Sequence, residues 1–151
     1  MESLDFKCLE TDWTKYIGFP YKHLGLEPKT GIDCFNLIKY VFLKEFGIDF
    51  SYSTRDLCNI IDENWYYKTH EAFFTEDNIL SRGWEKTEIL EPFNAVTMVM
   101  GTSNITNHCA LYIGNNRIIH TLQNHKSHIA VYGNYYKQYT VGKYKWTGLR
   151  T

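Results

Sequence analysis

The spacing of apolar side chains along this chain changes once, from a period near 3.6 in the first third to a period of two in the last half. Helical spacing is clearest where Leu37, Ile38, Val41, Phe42 and Phe46 recur three and four residues apart, which predicts a buried helix of about three turns. Asp33 is a favoured N-cap, its carboxylate able to accept the orphan N–H of Phe35 or Asn36, and Gly47 stands where a left-handed stop is expected. Upstream, Trp13, Tyr16 and Ile17 form a shorter apolar stripe assigned to the core, and Gly18 to Gly25 and Glu27 to Gly31 read as loops. Downstream, Ile48 to Asp56 alternates like a strand and then offers Ser53 or Thr54 as a cap for a second short helix carrying Leu57, Ile60 and Ile61.

After Gly83 the alternation predicts strands at Trp84 to Ile89, Ala95 to Met100, His108 to Ile113, Arg117 to Leu122, Ala130 to Tyr132, Tyr139 to Val141 and Lys145 to Arg150. Helices first and a sheet of sequential strands afterwards describe an α+β domain. Gly114-Asn115-Asn116 is a hairpin loop. With three residues in that loop, Ile113 pairs with Arg117 and His108 lies opposite Leu122, so His120 is the diagonal neighbour of His108 on one face. A two-residue loop without a bulge sends His120 to the other face. The same parity turns Cys109 away from His108, into the core.

Composition narrows the class. A chain of 151 residues with 44% hydrophobic and 17% aromatic side chains is a single globular domain, spanning 1–151, with no internal repeat or linker. A net charge of -1 gives no field to gather nucleic acid or an anionic membrane surface. No apolar run approaches the roughly 20 residues of a membrane span. The four cysteines lack a C-x-x-C pair, and the acidic start Met1-Glu2-Ser3-Leu4-Asp5 is not a secretory signal, so reduced thiols and synthesis in a cytosol are expected. The aromatic stretch from Asp62 to Asn78, with Trp65, Tyr66, Tyr67, Phe73 and Phe74, suits either a satellite cluster or a substrate-facing rim.

The candidate chemistry rests on Cys34, which Asp33 leaves in the first helical turn, where the helix dipole favours a thiolate. A small buried hydrophobe is the other ordinary fate of such a cysteine. Combined with two histidines sharing a sheet face, it has the parts for nucleophilic acyl transfer. One imidazole takes the thiol proton and returns it to the leaving amine, and the second fixes the tautomer and ring plane of the first. Helix-start N–H groups, Cys34 among them, can hold an oxyanion. Tyr21 and His23, in the loop ahead of the cysteine, are candidates for lining such a site, whereas His70, His125 and His128 read as solvated surface residues.

Gly18-Phe19-Pro20-Tyr21, Gly31-Ile32-Asp33-Cys34, the helix ending Glu45-Phe46-Gly47-Ile48, the strand after Pro92-Phe93, and His108-Cys109-Ala110-Leu111-Tyr112-Ile113-Gly114 with His120 twelve positions on together resemble the NlpC-type cell-wall cysteine peptidases. The resemblance runs from about Trp13 to Arg150 and is weakest between Tyr52 and Gly83. It looks closest to the branch carried in bacteriophage tails, where a Gly, Pro, aromatic and His pattern precedes the cysteine and a large aromatic, here Phe35, follows it. The resemblance implies a papain-like α+β fold with a rearranged element order, Cys34 as nucleophile, His108 as general base and His120 as third member. It implies substrate-binding roles for Tyr21, Asp33 and Phe35, and neither metal nor cofactor. The implied substrate is the peptidoglycan stem peptide, cut between D-γ-glutamyl and a diamino acid. Other phage tail proteins are the implied partners and the virion tail the implied location. Asn36 stands where the family usually has Gly, with the prospect of crowding the helix against the sheet; Asn94 stands where an Asp commonly opens the central strand.

Two other readings use the same residues. One keeps the fold without hydrolysis, as a tail-tip assembly module or a thiol acyltransferase. The other takes one Cys and two His as zinc ligands, although a closed zinc site generally needs a fourth.

Overall fold

The computed structural model describes residues 3–57, 74–101 and 105–149. Ser3 caps the first helix, α1 (Leu4–Glu10), by accepting the Phe6 N–H at 3.1 Å, and a single 3-10 turn, Trp13–Tyr16, follows. Trp13 and Tyr16 are buried as their spacing predicts, but Ile17 is 42% exposed, because the turn ends at Tyr16 and the next residue is extended. The loop that follows carries a two-residue ladder, β1 (Leu26–Glu27) against β2 (Gly31–Ile32). Gly31 has a φ of +140° and lies against Lys22, whose Cβ an added methyl would meet at 2.2 Å, so only glycine lets the chain enter the next helix here.

That helix is α2 (Cys34–Phe46). Asp33 caps it, and Gly47, left-handed at φ +68°, closes it by donating its N–H to the Leu43 carbonyl. Leu37, Ile38, Val41 and Phe42 are all at most 1% exposed. Beyond it, Ile48 to Tyr52 belongs to no strand. The alternation there reflects Phe50 and Tyr52, which bury their rings against Phe35 without joining a ladder. Thr54–Leu57 is a 3-10 turn, while Ile60, Ile61, Cys58, Trp65, Tyr66, Tyr67, His70 and Phe73 lie outside the described residues. A short helix, α3 (Glu76–Ser81), leads into the sheet.

Among the described residues the sheet has six strands, β3 (Trp84–Lys86), β4 (Ala95–Met98), β5 (His108–Tyr112), β6 (Arg117–His120), β7 (His128–Val131) and β8 (Thr140–Trp146). Their spatial order is β3-β8-β4-β5-β6-β7, antiparallel throughout. A four-residue helix, α4 (Asn134–Lys137), links β7 to β8. Two strands read from the sequence, Tyr139 to Val141 and Lys145 onward, are parts of the single β8. Gly142 interrupts the apolar pattern there because a Cβ would strike the Tyr144 ring at 2.6 Å and Thr97 Oγ1 at 2.8 Å, beside the register shift between Thr97 and Met98.

Alternation along these strands divides the core into two layers. Ala95, Cys109, Leu111, Ile113 and Ile119 pack towards α2, with Phe42 and Phe93. Val96, Met98, Ala110, Ile118 and Tyr132 pack on the opposite face, beneath Tyr136 and Tyr139. Among the described residues no helix is long and apolar enough to cross a membrane.

Candidate active site

The start of α2 is held by a set of buried polar contacts. Asp33 Oδ1 accepts the Asn36 N–H at 2.8 Å, Asp33 Oδ2 accepts the Thr54 hydroxyl at 2.5 Å, and the Asp33 N–H donates to the Gly25 carbonyl at 3.1 Å. Asn36 completes the set by donating from Nδ2 to both Gly25 O and Thr54 Oγ1, each at 2.9 Å. Asn36 therefore does not crowd the helix against the sheet; its amide ties the helix to the two loops beside it. Burial lifts the Asp33 carboxyl to about 6, against the hydrogen bonds from Thr54 and from backbone N–H groups that favour its charge. Asn94 is likewise a local clamp, buried and accepting the Glu91 N–H through Oδ1 at 2.8 Å.

This cap delivers Cys34, 3% exposed, to a cavity of about 270 Å³ that it shares with Tyr21, Asn107, His108, Thr121 and Gln123 among others. Thiol and imidazole come from elements 74 residues apart in the chain and open onto one space. Cys109 lies on the α2 face of β5, in the core as its parity predicts, with Cys34 as a neighbour there. Burial, then the neighbouring Cys34, pushes the Cys109 thiol well up.

On the other face the hairpin takes the register its three-residue loop requires. Asn115 and Asn116 are both left-handed, at φ +50° and +55°, the Ile113 N–H donates to Arg117 O, and Leu111 pairs with Ile119. His108 Nε2 and His120 Nδ1 then stand 2.9 Å apart, both rings buried. Burial first, and then the neighbouring His128 and His125, pushes His120 down to about 3, so it is a neutral imidazole across the physiological range.

The sequence misplaces His128. It is not a solvated loop residue but the first residue of β7, paired with His120, and its Nε2 lies 3.2 Å from His120 Nε2. Extending the strand read at Ala130 to Tyr132 back by two residues puts His128 on the face of Ala130 and Tyr132, but the polar run Gln123 to Ser127 hides that extension. Ser127 is itself an anchor. Its hydroxyl donates to the Tyr16 carbonyl at 2.7 Å and accepts the Phe19 N–H at 2.9 Å, which fastens the loop carrying Tyr21 beside β7.

The other expected site residues separate into two groups. Tyr21 lines the cavity with Cys34. Asp33 is 2% exposed behind the cysteine, and Phe35, 5% exposed, stacks on Phe50 and Tyr52 and lines a different, apolar pocket with Ile38, Phe74 and Trp84.

A cysteine-bearing helix packed on an antiparallel sheet, with histidines on adjacent strands at the same end, defines the papain-like class of α+β folds. The chain belongs to the NlpC/P60 family, whose match covers residues 18–145. Among solved structures it is similar to the NlpC/p60 domain of the peptidoglycan hydrolase SagA, with TM-score 0.55 and 17% identity over 94% of this chain and 95% of that one. It is also similar to an NlpC/P60 family protein from Bacillus cereus, with TM-score 0.61 and 16% identity over 97% of this chain and 41% of that one. NlpC2 from Trichomonas vaginalis gives TM-score 0.61 at 13% identity, over 97% of this chain and 48% of that one. At these identities the likeness is one of fold, and the chain spans under half the length of the last two proteins. No curated protein matches it by sequence.

Proposed function

We propose that this protein is a cysteine peptidase that hydrolyses stem peptides of peptidoglycan, at a bond between D-γ-glutamyl and a diamino acid. The observation that carries the reading is that Cys34, at the start of α2, and His108, at the start of β5, open onto one cavity. His108 takes the Cys34 proton as sulfur attacks the scissile carbonyl, and N–H groups at the start of α2 hold the oxyanion. Collapse of the tetrahedral intermediate breaks the C–N bond, with the proton passing from His108 to the leaving amine. Water, deprotonated by His108, then attacks the thioester and releases the acid and the thiol. His120 orients His108, and Tyr21 borders the bound peptide. Asp33 and Phe35 act on substrate only through the cysteine: Asp33 caps the helix that presents it, and Phe35 anchors that helix start against Phe50 and Tyr52.

Membership of the NlpC/P60 family supports the reaction class, and the name of SagA as a peptidoglycan hydrolase supports the substrate. The pattern ahead of Cys34 supports placement in a phage tail, where local wall opening accompanies genome delivery and tail proteins are the partners. Mass spectrometry of products from defined muropeptides tests the reaction. Cys34→Ala is expected to abolish fragment release while the far-UV circular dichroism is retained, and undiminished release by that variant would remove the enzymatic reading. Detection of the chain in purified virions tests the location.

A further inference from the structure

His108, which shares the cavity of the cysteine, and His120 behind it are the inner part of a longer chain. His108 Nε2 meets His120 Nδ1 at 2.9 Å, His120 Nε2 meets His128 Nε2 at 3.2 Å, and His128 Nδ1 meets the Lys126 carbonyl at 2.8 Å. Only the last contact has a fixed direction. A carbonyl oxygen accepts and never donates, so His128 Nδ1 carries a proton. In neutral His128 the other nitrogen, Nε2, is then an acceptor, and the partner that must donate to it is His120 Nε2–H. His120 is neutral and has one N–H, so its Nδ1 is bare and accepts from His108 Nε2–H. His108 is left with its lone pair on Nδ1, the nitrogen that can receive the Cys34 proton.

We propose that His128 is a positioning residue: it sets the direction of a three-imidazole relay that holds His108 in the tautomer able to act as base, and its protonation reverses that direction. With both nitrogens protonated, His128 donates to His120 Nε2. His120 then carries its proton on Nδ1 and donates to His108 Nε2, and neutral His108 holds its proton on Nδ1, where it cannot accept another. The two inter-ring protons move outward along their hydrogen bonds, to His128 Nε2 and His120 Nδ1, and the one proton gained is taken up at His108 Nδ1, with no bond between heavy atoms changed. The relay is buried at His108 and His120 and half-buried at His128, so the protonated relay carries its charge on the ring most open to solvent. The ionisable groups facing His128 are His120 across the strand pair and His125 of the preceding turn, with ring centroids at 4.6 and 6.2 Å. The Tyr136 ring of α4 packs edge-on against His120, 5.2 Å away, and closes the relay from above.

The role rests on the peptidase reading, but the relay can be read without substrate. Nitrogen-15 resonances of the imidazoles report which nitrogen of His108 carries the proton. The Nε2–H tautomer is expected in the native protein and in His128→Gln, whose carbonyl accepts from His120 while its amide donates to Lys126 O. The Nδ1–H tautomer is expected in His128→Lys, which can only donate. On muropeptides His128→Lys is expected to lower kcat on the order of 10²-fold with KM unchanged, and His128→Gln to keep most of the native rate. An Nδ1–H tautomer in the native protein, or a His108 tautomer indifferent to His128→Lys, overturns the proposal. Resonances that follow the expected pattern in a protein that cleaves no muropeptide sustain the relay and remove the peptidase reading alone.

Discussion

At the scale of single residues, the site separates groups that react from groups that hold them. His108→Ala removes the proton carrier and is expected to lower kcat/KM on the order of 10²–10⁴-fold. His120→Asn is expected to cost less, because an amide oxygen can still accept from His108 Nε2; steady-state rates on one muropeptide compare the two, and equal, negligible effects would dispose of the triad. Asp33 gives a prediction of a different kind. Its carboxyl titrates near 6 in the folded chain and near 4 when unfolded, so the folded state binds the extra proton between those values. Stability is therefore expected to fall as pH rises from about 4 to about 6, by up to roughly 3 kcal/mol, and then to level off. Urea midpoints across that range should show the slope in the native protein and lack it in Asp33→Asn.

Elements place these residues, and the hairpin between β5 and β6 does so with least tolerance. Deleting Asn116 leaves a two-residue loop and turns His120 to the α2 face, breaking both its contacts with His108 and His128. Cleavage is expected to fall at least as far as in His120→Asn, with sheet content retained by circular dichroism. That register was legible in the sequence because the Gly-Asn-Asn loop fixes it locally, and α2 was legible because its cap, stripe and stop all agree. What escaped depends on pairing across distance. His128 belongs to a strand whose start is defined only by its neighbour β6, and Cys109 reaches Cys34 only because α2 crosses β5 at that point. Asn36, which looked like an obstruction, donates from its amide nitrogen to Gly25 and Thr54, contacts that no spacing rule contains.

The whole molecule is a sheet between two apolar layers, and the larger layer is organised around aromatic rings on α2. Phe42 lies within 5.0 to 6.3 Å, centroid to centroid, of Phe46, Phe50, Trp84 and Phe93. Phe42→Ala is expected to destabilise the fold by about 3–5 kcal/mol, measurable by urea unfolding, since a buried ring leaves a void its rigid neighbours cannot fill. Fold class was accessible before any coordinates because element order and periodicity are whole-chain properties that survive local errors in strand limits. The two-layer arrangement also governs how the protein would fail. The sulfur is supplied from one layer and the imidazoles from the other, so their alignment depends on both being intact. A modest fault in either would mute the reaction while most of the structure still stood, and turnover would report damage earlier than any melting curve.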